Sequence, residues 1–199
     1  MKAVTITDIE KAELREYPMP TVGENDVLIQ IKACALCTME QRIYLGKKDV
    51  GGYPVIAGHE ASGVVVAVGE RVKHCKVGDH VISTDPYCGT CYYCRTGHAS
   101  QCEAGIADAV YKREDGVMNM VGYLAEYVSV DKNRVVVVDK KVPFAHAALT
   151  EPLACCLHLS LIHICTLRWT GPPAYNSDRR SAQYDSLFLW RTGRWTASC

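Results

Sequence analysis

The chain has 199 residues, of which 22 are Lys or Arg, 22 are Asp or Glu and 48% are hydrophobic. This composition is typical of a globular protein with one domain or two small ones, and its electrical neutrality argues against a disordered chain and against a nucleic-acid partner. The first residues lack the apolar stretch of a secretory signal, and the most apolar stretch, residues 144–165, contains Glu151, Pro152 and three histidines. We therefore expect a cytoplasmic protein with no membrane span.

Short β-branched runs predict a chain built mainly of strands. Residues 27–33 alternate apolar and polar side chains with a period of two, which is typical of a half-buried strand. Further strands bounded by Gly, Asp, Asn or Pro are predicted over residues 63–68, 80–83, 124–130 and 134–138. The turns fall at residues 77–79 and 131–133. Many short strands of this kind indicate a barrel or a sandwich, in a mainly β fold with some α structure (α+β).

The first potential metal ligands in chain order lie around Cys37 and in the segment Gly58-His59-Glu60. With Glu151, which we place on a turn at residues 150–152, they offer one thiolate, one imidazole and two carboxylates. Three protein ligands and an open position are the arrangement of a catalytic zinc. From the residues alone, a hydrogen-bonded His–Glu pair is the commoner explanation of such a segment.

Eleven cysteines is a high and odd number for a chain without a secretory signal, so we expect reduced thiols or metal ligands. Four of them, with Gly89 and Gly97 in between, follow the spacing Cys-x2-Cys-x2-Cys-x7-Cys: Cys88, Cys91, Cys94 and Cys102. Four thiolates make a closed, structural zinc site. Disulfides and an iron–sulfur cluster are the alternatives, and the reducing compartment disfavours the first. A zinc here would hold together a lobe at about residues 86–104.

The pattern changes again at Pro143, where apolar residues take up helical spacing. Proline is well suited to the first turn of a helix, since its fixed φ fits there and its missing N–H is not needed. We therefore predict that the β-rich unit leads into one helix that begins near residue 143.

The composition also changes at His158. Residues 159–199 contain no Val, Lys or Glu but hold all three Trp of the chain, five Arg and only two acidic residues. A basic docking arm is one interpretation. The interpretation that we favour is a non-native or disordered tail that arose from a frameshift, a chimeric gene end or vector sequence.

The segment Gly58-His59-Glu60-Ala61-Ser62-Gly63, followed by Gly69 and Val72, resembles the fingerprint of the zinc-dependent medium-chain alcohol dehydrogenases. The four-cysteine lobe falls where that family carries its structural zinc. Glu151-Pro152-Leu153 is similar to the third-ligand region of the polyol and threonine dehydrogenase branch. The resemblance covers residues 1–158 and implies the N-terminal catalytic domain of that family, a GroES-like β-barrel with a zinc-binding lobe.

The resemblance also implies the ligands of the catalytic zinc. They are Cys37, His59 and Glu151, with Glu60 as a neighbouring ligand that exchanges with water. Cys34 is the rival thiolate. We choose Cys37 because Glu40, three residues further on, matches the acidic residue that hydrogen-bonds the ligand His in the family and fixes its tautomer.

The implied activity is that of an oxidoreductase, which oxidises a zinc-bound alcohol by hydride transfer to NAD or NADP. The family begins its proton relay with a Ser or Thr and a His, but this chain has Met39 and Arg42 at those positions. Thr38, or Glu60 with water, is a candidate for the relay, and the sequence leaves the choice open.

The mark of a dinucleotide-binding domain, Gly-x-Gly-x-x-Gly between a strand and a helix, is absent from the sequence. After His158 the only glycines are Gly171 and Gly193, and two prolines follow the first of them. We therefore expect the Rossmann domain to be missing from a chain cut off near His158. Such a chain would bind two zinc ions and have little or no activity alone.

Two alternatives belong to other classes of protein. The first is a catalytically inactive, stand-alone zinc-binding module, which should cover the apolar side chains of the helix after Pro143: Leu149, Leu153 and Leu157. The second is a zinc-free quinone reductase relative, which the ligand Cys and the cysteine lobe disfavour. The expected partner is a small alcohol, polyol or amino alcohol, without nucleic acid or membrane, and we expect a homo-oligomer only for the full-length enzyme.

Overall fold

Strands separated by tight turns make up most of the computed structural model, which describes residues 1–84, 86–104, 110–159, 166–169 and 195–198. The chain divides into two units, Met1–Glu151 and Pro152–Cys199. The described part of the first unit contains these strands: β1 (Lys2–Asp8), β2 (Lys11–Glu16), β3 (Asp26–Ala35), β4 (Val55–Ile56), β5 (Glu60–Val68), β6 (His80–Ser83), β7 (Val110–Lys112), β8 (Met118–Met120), β9 (Tyr127–Asp131) and β10 (Val135–Val137).

The strands form two five-stranded sheets. One has the order β2-β1-β4-β8-β7 and the other has the order β10-β6-β5-β3-β9. Neighbouring strands are antiparallel except for the β4–β8 pair, which is parallel. The helices are short: α1 (Thr38–Tyr44), α2 (Tyr92–Arg95), α3 (Phe144–Ala148) and α4 (Thr150–Leu159). The mainly β fold with some α structure that the sequence predicts is confirmed.

The predicted strands appear with small shifts in their ends. Two strands begin three residues away from the prediction: β5 begins earlier, at Glu60 and not at residue 63, and β9 begins later, at Tyr127 and not at residue 124. The amide of Leu124 donates to the carbonyl of Ala57, and Ala125 forms only an isolated bridge with Ala3. Strands β1, β2, β4, β7 and β8 were not predicted. Strand β2 is almost fully exposed and its charged sequence shows no apolar face, and β4, β7 and β8 are only two or three residues long, too short for a recognisable alternation.

Strand β3 is buried more completely than its alternating sequence predicts. Val27, Leu28 and Ile29 are all buried, although side chains of successive residues point to opposite faces of a sheet. The strand lies between β5 and β9, next to the edge of its sheet, and the burial of three successive residues shows that both of its faces are covered where it begins. Val27 and Ile29 belong to the largest core cluster, together with Val65 and Val81.

The predicted single helix after Pro143 is two helices, and this corrects the placement of Glu151. Pro143 is the N-cap of α3, which ends at Ala148, and α4 begins at Thr150. Pro152 has no N–H to donate to the carbonyl of Ala148, so one continuous helix cannot pass through this position. Glu151 therefore lies in the first turn of α4 and not on a turn between elements.

In the second unit, β11 (Thr166–Trp169) and β12 (Trp195–Ser198) pair as an antiparallel ribbon with Trp169 opposite Trp195. Most of the remaining tail lies outside the described residues, so its origin and the boundary at His158 stay predictions. Within the part of the chain that the structure describes, no helix is long and apolar enough to cross a membrane.

Candidate metal centres

The pairing of β3 with β5 explains why Cys37 and His59, which are 22 positions apart, lie at one end of a sheet. The last pair in their antiparallel register joins Ala35 to Glu60. Cys37 comes two residues after the end of β3, and His59 comes directly before β5. The two residues therefore lie at the same end of the β3–β5 pair.

Helix α1 gives Cys37 its position. Cys37 is the N-cap of α1, and its amide donates to Oε2 of Glu40 at 2.9 Å. An acidic side chain in the first turn of a helix also interacts favourably with the helix dipole. Ile43, on the same helix, is fully buried in a second core cluster with Ile6 and Val55, so the helix is anchored on the β1–β4 sheet.

Glu40 connects the two candidate ligands. Its side chain is 4% exposed, and its Oε1 contacts Nδ1 of His59 at 2.8 Å and accepts from the amide of Gly58 at 3.2 Å. Burial alone would raise the pKa of this carboxyl, but the hydrogen bond and the charge of His59 outweigh burial and lower it. Glu40 is therefore a carboxylate that fixes Cys37, Gly58 and His59 at once.

The contact with Glu40 also decides which nitrogen of His59 faces the site. Because Nδ1 is engaged with Glu40, Nε2 is left for a cation, and it lies 4.0 Å from Oε1 of Glu60. The hydrogen bond to Glu40 raises the pKa of His59 to about 9, although burial opposes this rise. A cation at Nε2 would therefore have to displace a proton at neutral pH.

The structure gathers the candidate ligands into two overlapping groups that share His59. Cys37, Glu40 and His59 form one group, and His59, Glu60 and Glu151 form the other, with the ligand atoms of each group within 4.8 Å of one another. It does not bring Cys37, His59, Glu60 and Glu151 into one group of this size. Burial raises the pKa of Glu60, and the charge of Glu151 adds to the rise. A bound cation would relieve this repulsion, so the donor set fits a divalent metal.

Cys34 is placed differently from Cys37. Its thiol contacts the backbone carbonyl of Ala35 at 3.5 Å, and burial raises its pKa to about 12. It belongs to neither group of potential ligands among the described residues. The sulfur of Cys37 does belong to one of these groups, so the geometry favours Cys37 as the ligand.

The residues considered for a proton relay lie on α1. The hydroxyl of Thr38 is 3.8 Å from the sulfur of Cys37 and is exposed. Met39 packs against the second core cluster, and Arg42 is exposed. Thr38 thus places a hydroxyl group within 3.8 Å of the Cys37 thiol.

Tyr123 is a residue of this site that the sequence did not reveal. Its amide donates to the carbonyl of Gly58 at 3.1 Å, and its hydroxyl contacts Ser83 and accepts from Arg134. Gly58 has φ of +105°, and a Cβ there would lie 2.7 Å from the amide nitrogen of Leu124. The segment before His59 is thus held closely against residues 123 and 124. No local sequence pattern predicts such a contact, because Gly58 and Tyr123 are 65 positions apart in the chain.

The four cysteines of the lobe also come together, with their sulfur atoms within 4.8 Å of one another. The Cys88 and Cys94 sulfurs are 3.9 Å apart, far too long for a disulfide. Four thiolates at about 2.3 Å from a tetrahedral ion are about 3.8 Å apart, so this spacing fits zinc. None of residues 87–104 is fully buried, so the lobe has little core of its own.

Hydrogen bonds favour the ionised form of one of these thiols, Cys88. The hydroxyl and amide of Thr90 and the amide of Cys91 donate to the sulfur of Cys88 and lower its pKa to about 6. Burial among the other thiols raises the pKa of Cys94 to about 12. At neutral pH a cation would therefore find Cys88 ionised and would displace the proton of Cys94.

Comparisons with known proteins identify relatives of this chain. Residues 23–140 match the family model of the alcohol dehydrogenase GroES-like domain. The L-threonine 3-dehydrogenase of Symbiobacterium thermophilum is 36% identical over 75% of this chain and 42% of its own length. The NDMA-dependent alcohol dehydrogenase of Amycolatopsis methanolica is 34% identical over 69% of this chain and 40% of its own length.

Solved structures show the same fold. A protein from Sinorhizobium meliloti 1021, described as a zinc-binding dehydrogenase bound to NADP, has a TM-score of 0.63 and 28% identity over 79% of this chain and 44% of its own. The chain thus spans less than half the length of the relatives that it matches. It belongs to the family of the alcohol dehydrogenase GroES-like domain.

Proposed function

We propose that this chain supplies the metal-binding part of a zinc-dependent alcohol dehydrogenase that uses NAD or NADP. The observation that carries the proposal is the position of His59, which Glu40 holds at Nδ1 and which shares one cluster with Glu60 and Glu151. The ligands that we propose for the catalytic zinc are Cys37, His59, Glu60 and Glu151. In this proposal Cys37, His59 and Glu151 fill three positions of a tetrahedral zinc, and Glu60 exchanges with water or substrate at the fourth.

In this proposal, the residues around the metal bind it and transfer protons. When bound, zinc supplies a Lewis acid that lowers the pKa of a substrate hydroxyl. Glu40 keeps His59 in the tautomer that presents Nε2, and it fixes the backbone of Cys37. Glu60, or the exposed hydroxyl of Thr38 at 3.8 Å from the sulfur of Cys37, would begin the path by which a proton leaves the site.

The four-cysteine lobe has a different part in the proposal. Its donor set consists of four thiolates and leaves no open position, so we infer that its zinc is structural. The lobe of residues 86–104 then owes its conformation to the metal, because the described side chains from residue 87 onward form no buried core.

Substrate and cofactor are inferred from the relatives. The first relative named above is a threonine dehydrogenase, and the family includes alcohol dehydrogenases. We therefore propose an alcohol, a polyol or an amino alcohol such as threonine as substrate. Among the described residues of the first unit the two sheets are almost entirely antiparallel, whereas dinucleotide-binding folds use parallel sheets. The NAD(P) site would thus lie in a separate domain of the enzyme.

The alternative of a self-sufficient zinc module is less well supported. Such a module should cover the apolar residues of its last helices, but Leu149, Leu153 and Leu157 are 49%, 59% and 57% exposed. Exposed apolar side chains of this kind are typical of a surface that another protein segment covers.

The proposal is tested by measuring zinc in the purified 199-residue chain after reconstitution and removal of excess metal. We expect two zinc ions per chain in the unchanged protein and one in each of Cys37→Ser, His59→Asn and Cys94→Ser. Cys34→Ala is the matched control, since its thiol lies beside the site but outside both groups, and it should keep two. A chain that holds only the zinc of the four cysteines would contradict the proposed catalytic centre.

A further inference from the structure

The position of Glu151 depends on how the preceding helix, α3, packs on the sheet. Glu151 comes shortly after α3, a helix of five residues, and more than 80 positions after His59 and Glu60. A helix this short is not stable in isolation, so its place is decided by what it packs against. Whatever holds α3 on the sheet therefore also decides whether Glu151 reaches the other candidate ligands.

Ser62 makes the hydrogen bond that ties α3 to the sheet. Its side chain is 1% exposed, and its Oγ donates to the carbonyl of Phe144, the first residue of α3, at 2.7 Å. The ring of Phe144 in turn packs on His80 of β6 with 4.4 Å between ring centroids. Ala147 and Ala148, at the other end of α3, are buried. The hydroxyl of Ser62 is thus a directional contact between α3 and the sheet, beside the packing of Phe144 on His80.

The strand that carries Ser62 also carries Glu60. Residues two apart on a strand point to the same face of the sheet, so one face of β5 presents a carboxylate to the candidate metal site and a hydroxyl to α3. The distance from Glu60 to α3 is thereby coupled to the hydrogen bond at Ser62. Glu60 and Glu151 both belong to the group around His59.

We propose that Ser62 is a positioning residue, which sets the place of Glu151 in the catalytic metal site by fixing the start of α3 on β5. This inference rests on the proposed function, since it concerns the same metal site. Ser62 does not touch the metal in this proposal, and its whole effect on the metal passes through Glu151.

The test is a cobalt titration of the metal-free chain and its variants. Cobalt bound by four thiolates has a stronger sulfur-to-metal absorption than cobalt bound by one thiolate, so the two sites can be followed separately. Ser62→Ala should weaken cobalt binding at the His59 site about tenfold, as loss of an outer hydrogen bond typically does, and leave the four-cysteine site unchanged. Ser62→Thr, which keeps the hydroxyl, should restore binding. Thr5→Ala is the control, because Thr5 is equally buried and its hydroxyl bonds Tyr17, away from the site.

A double variant separates positioning from a general loss of stability. In a Glu151→Gln background, Ser62→Ala should cause no further loss of affinity, because the residue through which it acts is already altered. An unchanged affinity of Ser62→Ala, or an equal loss in both backgrounds, would overturn the inference and leave the proposed function intact. Cobalt absorption from the four-cysteine site alone in the unchanged chain would contradict the proposed function itself.

Discussion

At the scale of single residues, the site is organised by Glu40, a carboxylate that is not among the proposed ligands. It accepts from the amides of Cys37 and Gly58 and contacts Nδ1 of His59. Three contacts from one buried group restrain both the thiol and the imidazole before any metal arrives. Folding of the chain thus already restricts the conformations of the thiol and the imidazole, so less conformational entropy is lost when a metal binds.

The contact between His59 and Glu40 should make the stability of the metal-free chain depend on pH. The pair raises the pKa of His59 to about 9 in the folded state, above the value of about 6.5 in an unfolded chain. The stabilisation is therefore complete below pH 6.5 and is lost as the pH rises towards 9. After allowance for solvent screening, we expect it to be about 1–2 kcal/mol.

Urea unfolding of the unchanged chain and of Glu40→Gln at several pH values between 6 and 9 measures this effect. The Cys88 thiol, whose pKa is lowered to about 6, titrates in the same range with the opposite sign, so the useful quantity is the difference between the two proteins. That difference should shrink as the pH rises. A difference that is constant over this range would show that the pair does not stabilise the fold.

At the scale of elements, local patterns were predictable and long-range placements were not. The spacing of the four cysteines and the position of β6 follow from neighbouring residues, and both appear in the structure. The break at Leu149 and the placement of Glu151 depend on Pro152 and on how α3 packs, which no periodicity reveals. The alternation of β3 likewise predicted one buried face, but Val27, Leu28 and Ile29 are all buried, because other parts of the chain pack on both faces where the strand begins.

Gly58 offers a test of how closely the segment before His59 is held. We expect Gly58→Ala to cost about 1–3 kcal/mol of unfolding free energy, since it combines a positive φ with a clash against the Leu124 backbone. It should also weaken metal binding at His59. Gly78→Ala is the matched control, because Gly78 has φ of +87° but no heavy atom within 4 Å of an added Cβ.

Urea unfolding and cobalt titration of both variants give the comparison. Gly78→Ala should lose only about 1 kcal/mol for its backbone conformation and keep normal cobalt affinity. Equal losses of stability and affinity in the two variants would mean that the Gly58 contact has no special part in the site.

At the scale of the whole molecule, the described part of the first unit is rich in β structure and carries two candidate metal centres with different donor sets. The sequence has no Gly-x-Gly-x-x-Gly turn that could hold a dinucleotide pyrophosphate. We therefore expect the zinc-loaded 199-residue chain to produce no NADH from NAD with threonine or a polyol. Absorbance at the NADH band checks this, and turnover at an ordinary enzymatic rate of about 1 s⁻¹ or more would contradict it.

The account depends most on one ion shared by Cys37 and His59. Anomalous X-ray scattering at the zinc edge from crystals of the zinc-loaded chain locates that ion directly. The expected result is two peaks, one among the four cysteines of the lobe and one within bonding distance of Sγ of Cys37 and Nε2 of His59. A single peak in the lobe, with none between those two atoms, would contradict the account.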